Sequence, residues 1–233
     1  MLPTPFRTAV AIVTLAACGH SDRPARASAG TVATSTTPLA LPHDSISDRA
    51  DRGRIAGDSA ASVWFVMASD FECPFCKQFH DESFDQIMQK YVNTGKIRLA
   101  YVNYPLSIHP NAVPAAEAAM CASVQNKFWP MHNALFATQG KWESLPNPNV
   151  VFDSLAASVG VDTAAYHTCV SKHLTLPLIQ ADHDRAAQSG VNSTPTFFIG
   201  GRMIAGAAPY ATFEAAIDSA LAHAHSGSSK PAL

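Results

Sequence analysis

Val63-Trp64-Phe65-Val66-Met67 is an unbroken apolar run rich in β-formers and bounded by polar residues, a pattern that predicts a buried strand. Phe84, Ile87, Met88 and Tyr91 then recur at spacings of three, one and three, which gives one apolar face to a helix starting near Pro74 and ending by Gly95. Pro74 suits the first helical position, where a missing N–H costs nothing. Ile97-Arg98-Leu99-Ala100-Tyr101-Val102 reads as a second strand. Short connections thus join strand, helix and strand into a βαβ unit.

After Pro105 the periodicity is helical for about 85 residues. Ala112, Ala116, Ala119 and Met120 form one apolar face, Phe128, Met131, Leu135 and Phe136 a second, and Val151, Leu155 and Val159 a third, with Pro146 and Pro148 between the last two. Further helices are expected around Thr163 to Ser171 and Pro177 to Ser189, the last stopped by Gly190. Two strand-like runs, Thr196 to Ile199 and Arg202 to Ile204, flank Gly200-Gly201 and predict a hairpin. Phe213, Ala216, Ile217, Ala220 and Leu221 mark a closing amphipathic helix. The order is βαβ, a helical insertion, then ββα.

Composition adds the setting. The chain has 233 residues, 47% apolar and 15% charged, which suits one globular domain with a processed or flexible end. A net charge of -2 with no basic cluster argues against nucleic acid as a partner. Arg7 precedes the apolar run Thr8 to Ala17, too short to span a bilayer, which takes about 20 residues, and typical of an export signal. Leu15-Ala16-Ala17-Cys18 resembles the lipobox of bacterial lipoproteins, which would make Cys18 a lipid anchor; cleavage after Ala27-Ser28-Ala29 is the alternative. From Gly19 to about Pro42, Ser, Thr, Ala, Pro and Gly dominate, as in a tether.

Cys73-Pro74-Phe75-Cys76 lies at the junction of the first strand and its helix. Unpaired N–H groups and the helix dipole favour a thiolate there, and the thiolate is the reactive species. Cys73 is therefore the expected attacking sulfur and Cys76 the resolving one. A zinc half-site would need a second Cys or His pair, and Cys121 and Cys169 are isolated, so no metal is expected. A static disulfide across the motif is the other alternative.

The stretches Ser69 to Cys76 and Gly190 to Phe198, with Phe128 to Phe136 between them, resemble the DsbA-like branch of the thioredoxin superfamily over about Asp51 to Ala222. The resemblance implies an α/β thioredoxin fold with a helical insertion at about 105–190, between the second strand and a strand opened by cis-Pro195. It also implies that the Thr194 backbone offers hydrogen bonds to an extended substrate, a mode that is largely sequence-blind. The domain then covers 46–225, after a signal at 1–17 and a tether at 18–45 and before a tail at 226–233. Where the best-known oxidase of the family has Pro-His between its cysteines this chain has Pro74-Phe75, which removes a donor to the Cys73 thiolate. In an oxidising compartment Cys121 and Cys169 are expected to pair, closing a loop worth roughly 4 kcal/mol by chain entropy; two buried free thiols are the alternative. His80 falls one turn beyond Cys76 and His109 precedes Pro110 at an expected helix start; a surface or capping role is the commoner one for such histidines, so neither is counted with the site, whereas Asp70 and Glu72 could relay protons to Cys76.

The expected function is dithiol oxidation of exported proteins without a cofactor, with a membrane thiol oxidase as redox partner. A reductase or isomerase kept reduced by a membrane electron donor is the alternative within enzymes. A lipid-anchored binding module or chaperone with a structural Cys pair is the alternative outside them.

Overall fold

The computed structural model describes residues 45–228. The expected signal, Cys18 and nearly all of the tether lie outside them. A capping box opens α1 (Ile46–Gly53): the Ser45 hydroxyl accepts from the Asp48 N–H, and the Asp48 carboxylate accepts from the Ser45 N–H. β1 (Ile55–Ala56), β2 (Val63–Ser69), β3 (Ile97–Asn103), β4 (Thr196–Ile199) and β5 (Arg202–Ala205) form one sheet in the order β1-β3-β2-β4-β5. β2 and β3 run parallel, with Phe65 opposite Leu99, and β4 runs antiparallel to β2, with Met67 opposite Phe197.

The crossover from β2 to β3 is α2 (Pro74–Phe79), a π-helical turn over His80–Phe84, α3 (Asp85–Ile87) and a second π turn over Met88–Val92. Between β3 and β4 lies the helical insertion: α4 (Ala112–Ser123), α5 (Phe128–Ala137), α6 (Gln139–Trp142), α7 (Asn149–Ser158), α8 (Thr163–Ser171) and α9 (Leu176–Gln188). α10 (Tyr210–Ser228) closes the fold. This is the thioredoxin fold with a helical insertion.

Alternation along the strands sends Phe65, Met67, Leu99, Tyr101 and Phe197 to one face of the sheet. There the Phe79 ring of α2 lies 4.5 Å from Phe197, and Phe213 of α10 lies 4.7 Å from Phe197. The insertion continues this core through Phe128, 5.2 Å from Tyr101, and Phe136, 5.1 Å from Phe71. The opposite face, at Ala68 and Val102, is covered by Ala186 of α9 with Val191 and Tyr104. Gly200 takes the left-handed conformation that the hairpin turn requires, and a Cβ there would lie 2.5 Å from that of Ala220. A buried ion pair ties the layers together: Arg54 binds Asp182 of α9, which also accepts from the Asn103 side chain at 2.8 Å and from the Asn103 N–H at 3.2 Å.

α7 corrects the expected apolar face by one position. Phe152 and Ala156 are buried and Phe152 packs 5.1 Å from Trp142, whereas Val151, Leu155 and Val159 are only partly buried at the flanks.

Candidate active site

β2 ends at Ser69, and the chain turns through Asp70, Phe71 and Glu72 before α2 begins at Pro74. Cys73 occupies the N-cap in an extended conformation, with Pro74 at N1, so the free N–H groups of the first turn open toward its sulfur. Cys76 lies one turn further on and is 1% exposed. Both are free thiols. A hydrogen bond from the Cys76 thiol, helped by Thr194 and by the N–H groups of Cys76 and Phe75, draws Cys73 down from 9.0 to about 6 against the opposing effect of burial. Burial, and then the neighbouring Cys73, push Cys76 well above the usual thiol range.

Thr194 and Pro195 come to the pair from the far side of the insertion. Their peptide bond is cis, and the Cys73 Sγ lies 3.5 Å from the Thr194 carbonyl. β4 begins at Thr196, immediately beyond. Phe75, between the cysteines, is 60% exposed. Cys121 of α4 and Cys169 of α8 are joined in a disulfide, away from this pair, with a Cα–Cα distance of 5.8 Å.

The loop that carries Cys73 is held by side chains. The buried Asp70 carboxylate accepts from the N–H groups of Glu72 at 2.8 Å and Leu106 at 2.9 Å and meets His109 Nδ1 at 2.7 Å. Its own N–H points at Cys76 Sγ, 3.5 Å away. Glu72 accepts from the Asn111 N–H at 2.6 Å, and burial raises its pKa against that bond. From α6, Gln139 Nε2 donates to the carbonyls of Phe71 at 2.7 Å and Cys73 at 3.2 Å.

Asp70, Glu72 and His109 therefore converge on the motif, while His80 stacks 5.1 Å from Phe136 and meets Asp81 at 3.1 Å. Asn111 and Gln139 carry no mark in the sequence; only the folded insertion brings them to the loop. Phe128 and Phe136 are core residues, and burial beside them lowers His132 to about 3, so its ring is neutral. Among the described residues, no three His, Cys, Asp or Glu side chains gather in a way that could hold a metal ion.

The arrangement can carry out thiol–disulfide exchange: a stabilised thiolate at a helix start, a buried partner one turn away, and a backbone carbonyl beside the sulfur. A family model described as thioredoxin matches residues 49–219. A Salinispora arenicola Na(+)/H(+) antiporter NhaA 1 is 34% identical over 173 residues, 74% of this chain and 25% of its own length. The chain thus spans about a quarter of that relative. A Rickettsia conorii protein, named provisionally as a protein-disulfide oxidoreductase, is 26% identical over 73% of this chain and 61% of its own. Oxidised BdbD from Bacillus subtilis superposes with a TM-score of 0.67 at 23% identity, covering 73% of this chain and 94% of that one. Wolbachia pipientis alpha-DsbA1 gives 0.67 at 22% identity over 82% and 96%.

Proposed function

Because the chain belongs to the thioredoxin family whose model spans residues 49–219, we propose that it is an exported, DsbA-like protein-disulfide oxidoreductase working as a dithiol oxidase. The observation that carries this reading is the placement of the pair: Cys73 at the start of α2 with its Sγ 3.5 Å from the Thr194 carbonyl, and Cys76 enclosed one turn further on. A pair divided in this way has one sulfur that leaves readily and one that stays protonated until needed.

In the forward reaction a substrate thiolate attacks Cys73 Sγ of the oxidised pair. The Cys73–Cys76 bond breaks, and Cys76 leaves with the electron pair and takes up a proton. A second substrate thiolate then attacks its partner sulfur in the mixed disulfide, and Cys73 leaves as a thiolate. The substrate has gained a disulfide and the enzyme holds two more electrons, which a membrane thiol oxidase removes. Substrate backbone would pair beside Thr194 and Pro195, next to exposed Phe75, so recognition depends little on substrate sequence.

Export through the signal at 1–17, anchoring through lipidated Cys18 and a tether to about residue 45 belong to the same reading. The domain of 46–225, the tail of 226–233 and the Cys121–Cys169 staple complete it. The antiporter names describe proteins about four times the length of the shared segment, and among the described residues no helix is long and apolar enough to cross a membrane. The shared segment therefore supports the thiol reading rather than ion transport.

Replacing Cys76 removes the resolving sulfur. The Cys76→Ser protein, treated with reduced, unfolded substrate and an oxidant, is expected to accumulate mixed disulfides through Cys73 that dithiothreitol dissolves. Absence of such adducts on non-reducing gels overturns the mechanism.

A further inference from the structure

The peptide units on the two sides of Cys73 are held by different parts of the molecule. The Cys73 N–H donates to the Asp70 carbonyl at 3.2 Å, within the loop itself. The Cys73 carbonyl accepts from the Lys77 N–H at 3.1 Å, the first bond of α2, and its second lone pair accepts from Gln139 Nε2 at 3.2 Å. The same amide nitrogen donates to the Phe71 carbonyl at 2.7 Å. Phe71, Cys73 and Gln139 are all buried, so a carbonyl deprived of this amide has little water to turn to and the backbone must shift instead.

The amide can act as a fixed point because α6 is itself locked. Trp142, at its other end, is fully buried, packs 5.1 Å from Phe152 and donates Nε1 to the Leu135 carbonyl at 3.1 Å. Asn111, at the start of α4, donates its side-chain amide to the carbonyls of Glu143 at 3.0 Å and Leu145 at 2.9 Å, just beyond α6. Its N–H meets Glu72 at 2.6 Å. The insertion thus grips the loop at Phe71, Glu72 and Cys73, and the grip on the backbone of Cys73 belongs to Gln139.

We infer that Gln139 is a positioning residue for thiol–disulfide exchange: it fixes the backbone from Phe71 to Cys73 so that the Cys73 sulfur stays between the first-turn N–H groups of α2 and the Thr194 carbonyl. The inference rests on the reading of Cys73 and Cys76 as the reactive pair. Gln139 touches neither sulfur and takes no proton. Its effect is on direction: with the peptides before and after Cys73 both pinned, the side chain points along one line, and the N–H groups that stabilise a thiolate remain aimed at it. When the amide is lost, the peptide after Cys73 keeps only its helical bond and the Phe71 peptide loses its donor from α6.

The test follows iodoacetamide alkylation of the reduced full chain across pH, read at Cys73 by peptide mass. Gln139→Met keeps the length and bulk of the side chain and removes the donor. Its midpoint is expected about one pH unit or more above that of the unmodified chain, which makes alkylation at about pH 5 roughly tenfold slower. Ser123→Ala is the control: it removes a buried bond from the Ser123 hydroxyl to the Ala50 carbonyl, remote from the loop, and should lower Tm while leaving the Cys73 midpoint in place. If Gln139→Met does not fold, Gln139→Asn decides, since it retains an amide one methylene short of both carbonyls and should raise the midpoint in the same way. An unchanged midpoint in the Gln139 variant that folds, or an equal shift in Ser123→Ala, would overturn the inference alone. A midpoint near 9.0 in the unmodified chain would overturn the reading of the pair, and the inference with it.

Discussion

Cys73 and Cys76 share a single helical turn but differ in what surrounds them. Cys73 receives the Cys76 hydrogen bond and the N–H groups of the first turn, whereas Cys76 is enclosed. Alkylation of the reduced protein by iodoacetamide should follow the Cys73 thiolate, rising with pH through about 6 and levelling above it. A midpoint near 9.0, the value from which Cys73 is drawn down, would show that the site leaves it unperturbed. The sign follows from linkage. With a folded value below the ordinary one, the thiolate's stabilisation of the reduced protein is complete above the ordinary thiol pKa and disappears as pH falls through about 6. Stabilising the reduced form in this way moves the pair's potential toward the oxidising side. The motif was legible because its chemistry lies within four residues. The hydrogen bonds that lower Cys73 come from the Cys76 thiol, Thr194 and backbone N–H groups, and no side-chain pattern between the cysteines displays them. Gln139 was not legible, because it reaches the Cys73 carbonyl across 66 positions and only the folded insertion makes that contact.

Among the elements, β2, β3 and most of the insertion followed from the apolar pattern, because each buries apolar residues against the core, and Gly200-Gly201 marked the hairpin of β4 and β5. α8 runs from Thr163 to Ser171 as the pattern indicates. α1 gave no such signal: it is mostly polar, and Ala50 is the residue it buries. β1 is two residues long and pairs antiparallel with β3 through Ile55 and Ala56. The two π turns between α2 and β3 keep helical backbone and apolar spacing, so the sequence shows only one continuous helix there. What holds α1 and α9 to β3 is the buried Arg54–Asp182 pair with Asn103, three residues distant in sequence and unremarkable singly. Asp182→Ala leaves the Arg54 guanidinium buried beside Asp51 alone and should lower unfolding free energy by about 3 to 5 kcal/mol in urea titrations. A change below about 1 kcal/mol would mean that solvent reaches Arg54 and the pair contributes little.

At the scale of the whole molecule, one sheet brings together residues from both ends of the domain. β2 delivers the Cys pair, β4 starts just after Pro195, and the insertion between them supplies the helices that clamp the loop. Within the insertion, the Cys121–Cys169 disulfide joins α4 to α8, away from the thiol pair. The central claim is that the pair oxidises dithiols, and its equilibrium potential against glutathione tests that most directly. A value near or above roughly -150 mV is the predicted result, as expected of a reduced form stabilised through Cys73, and a value below roughly -220 mV would contradict it.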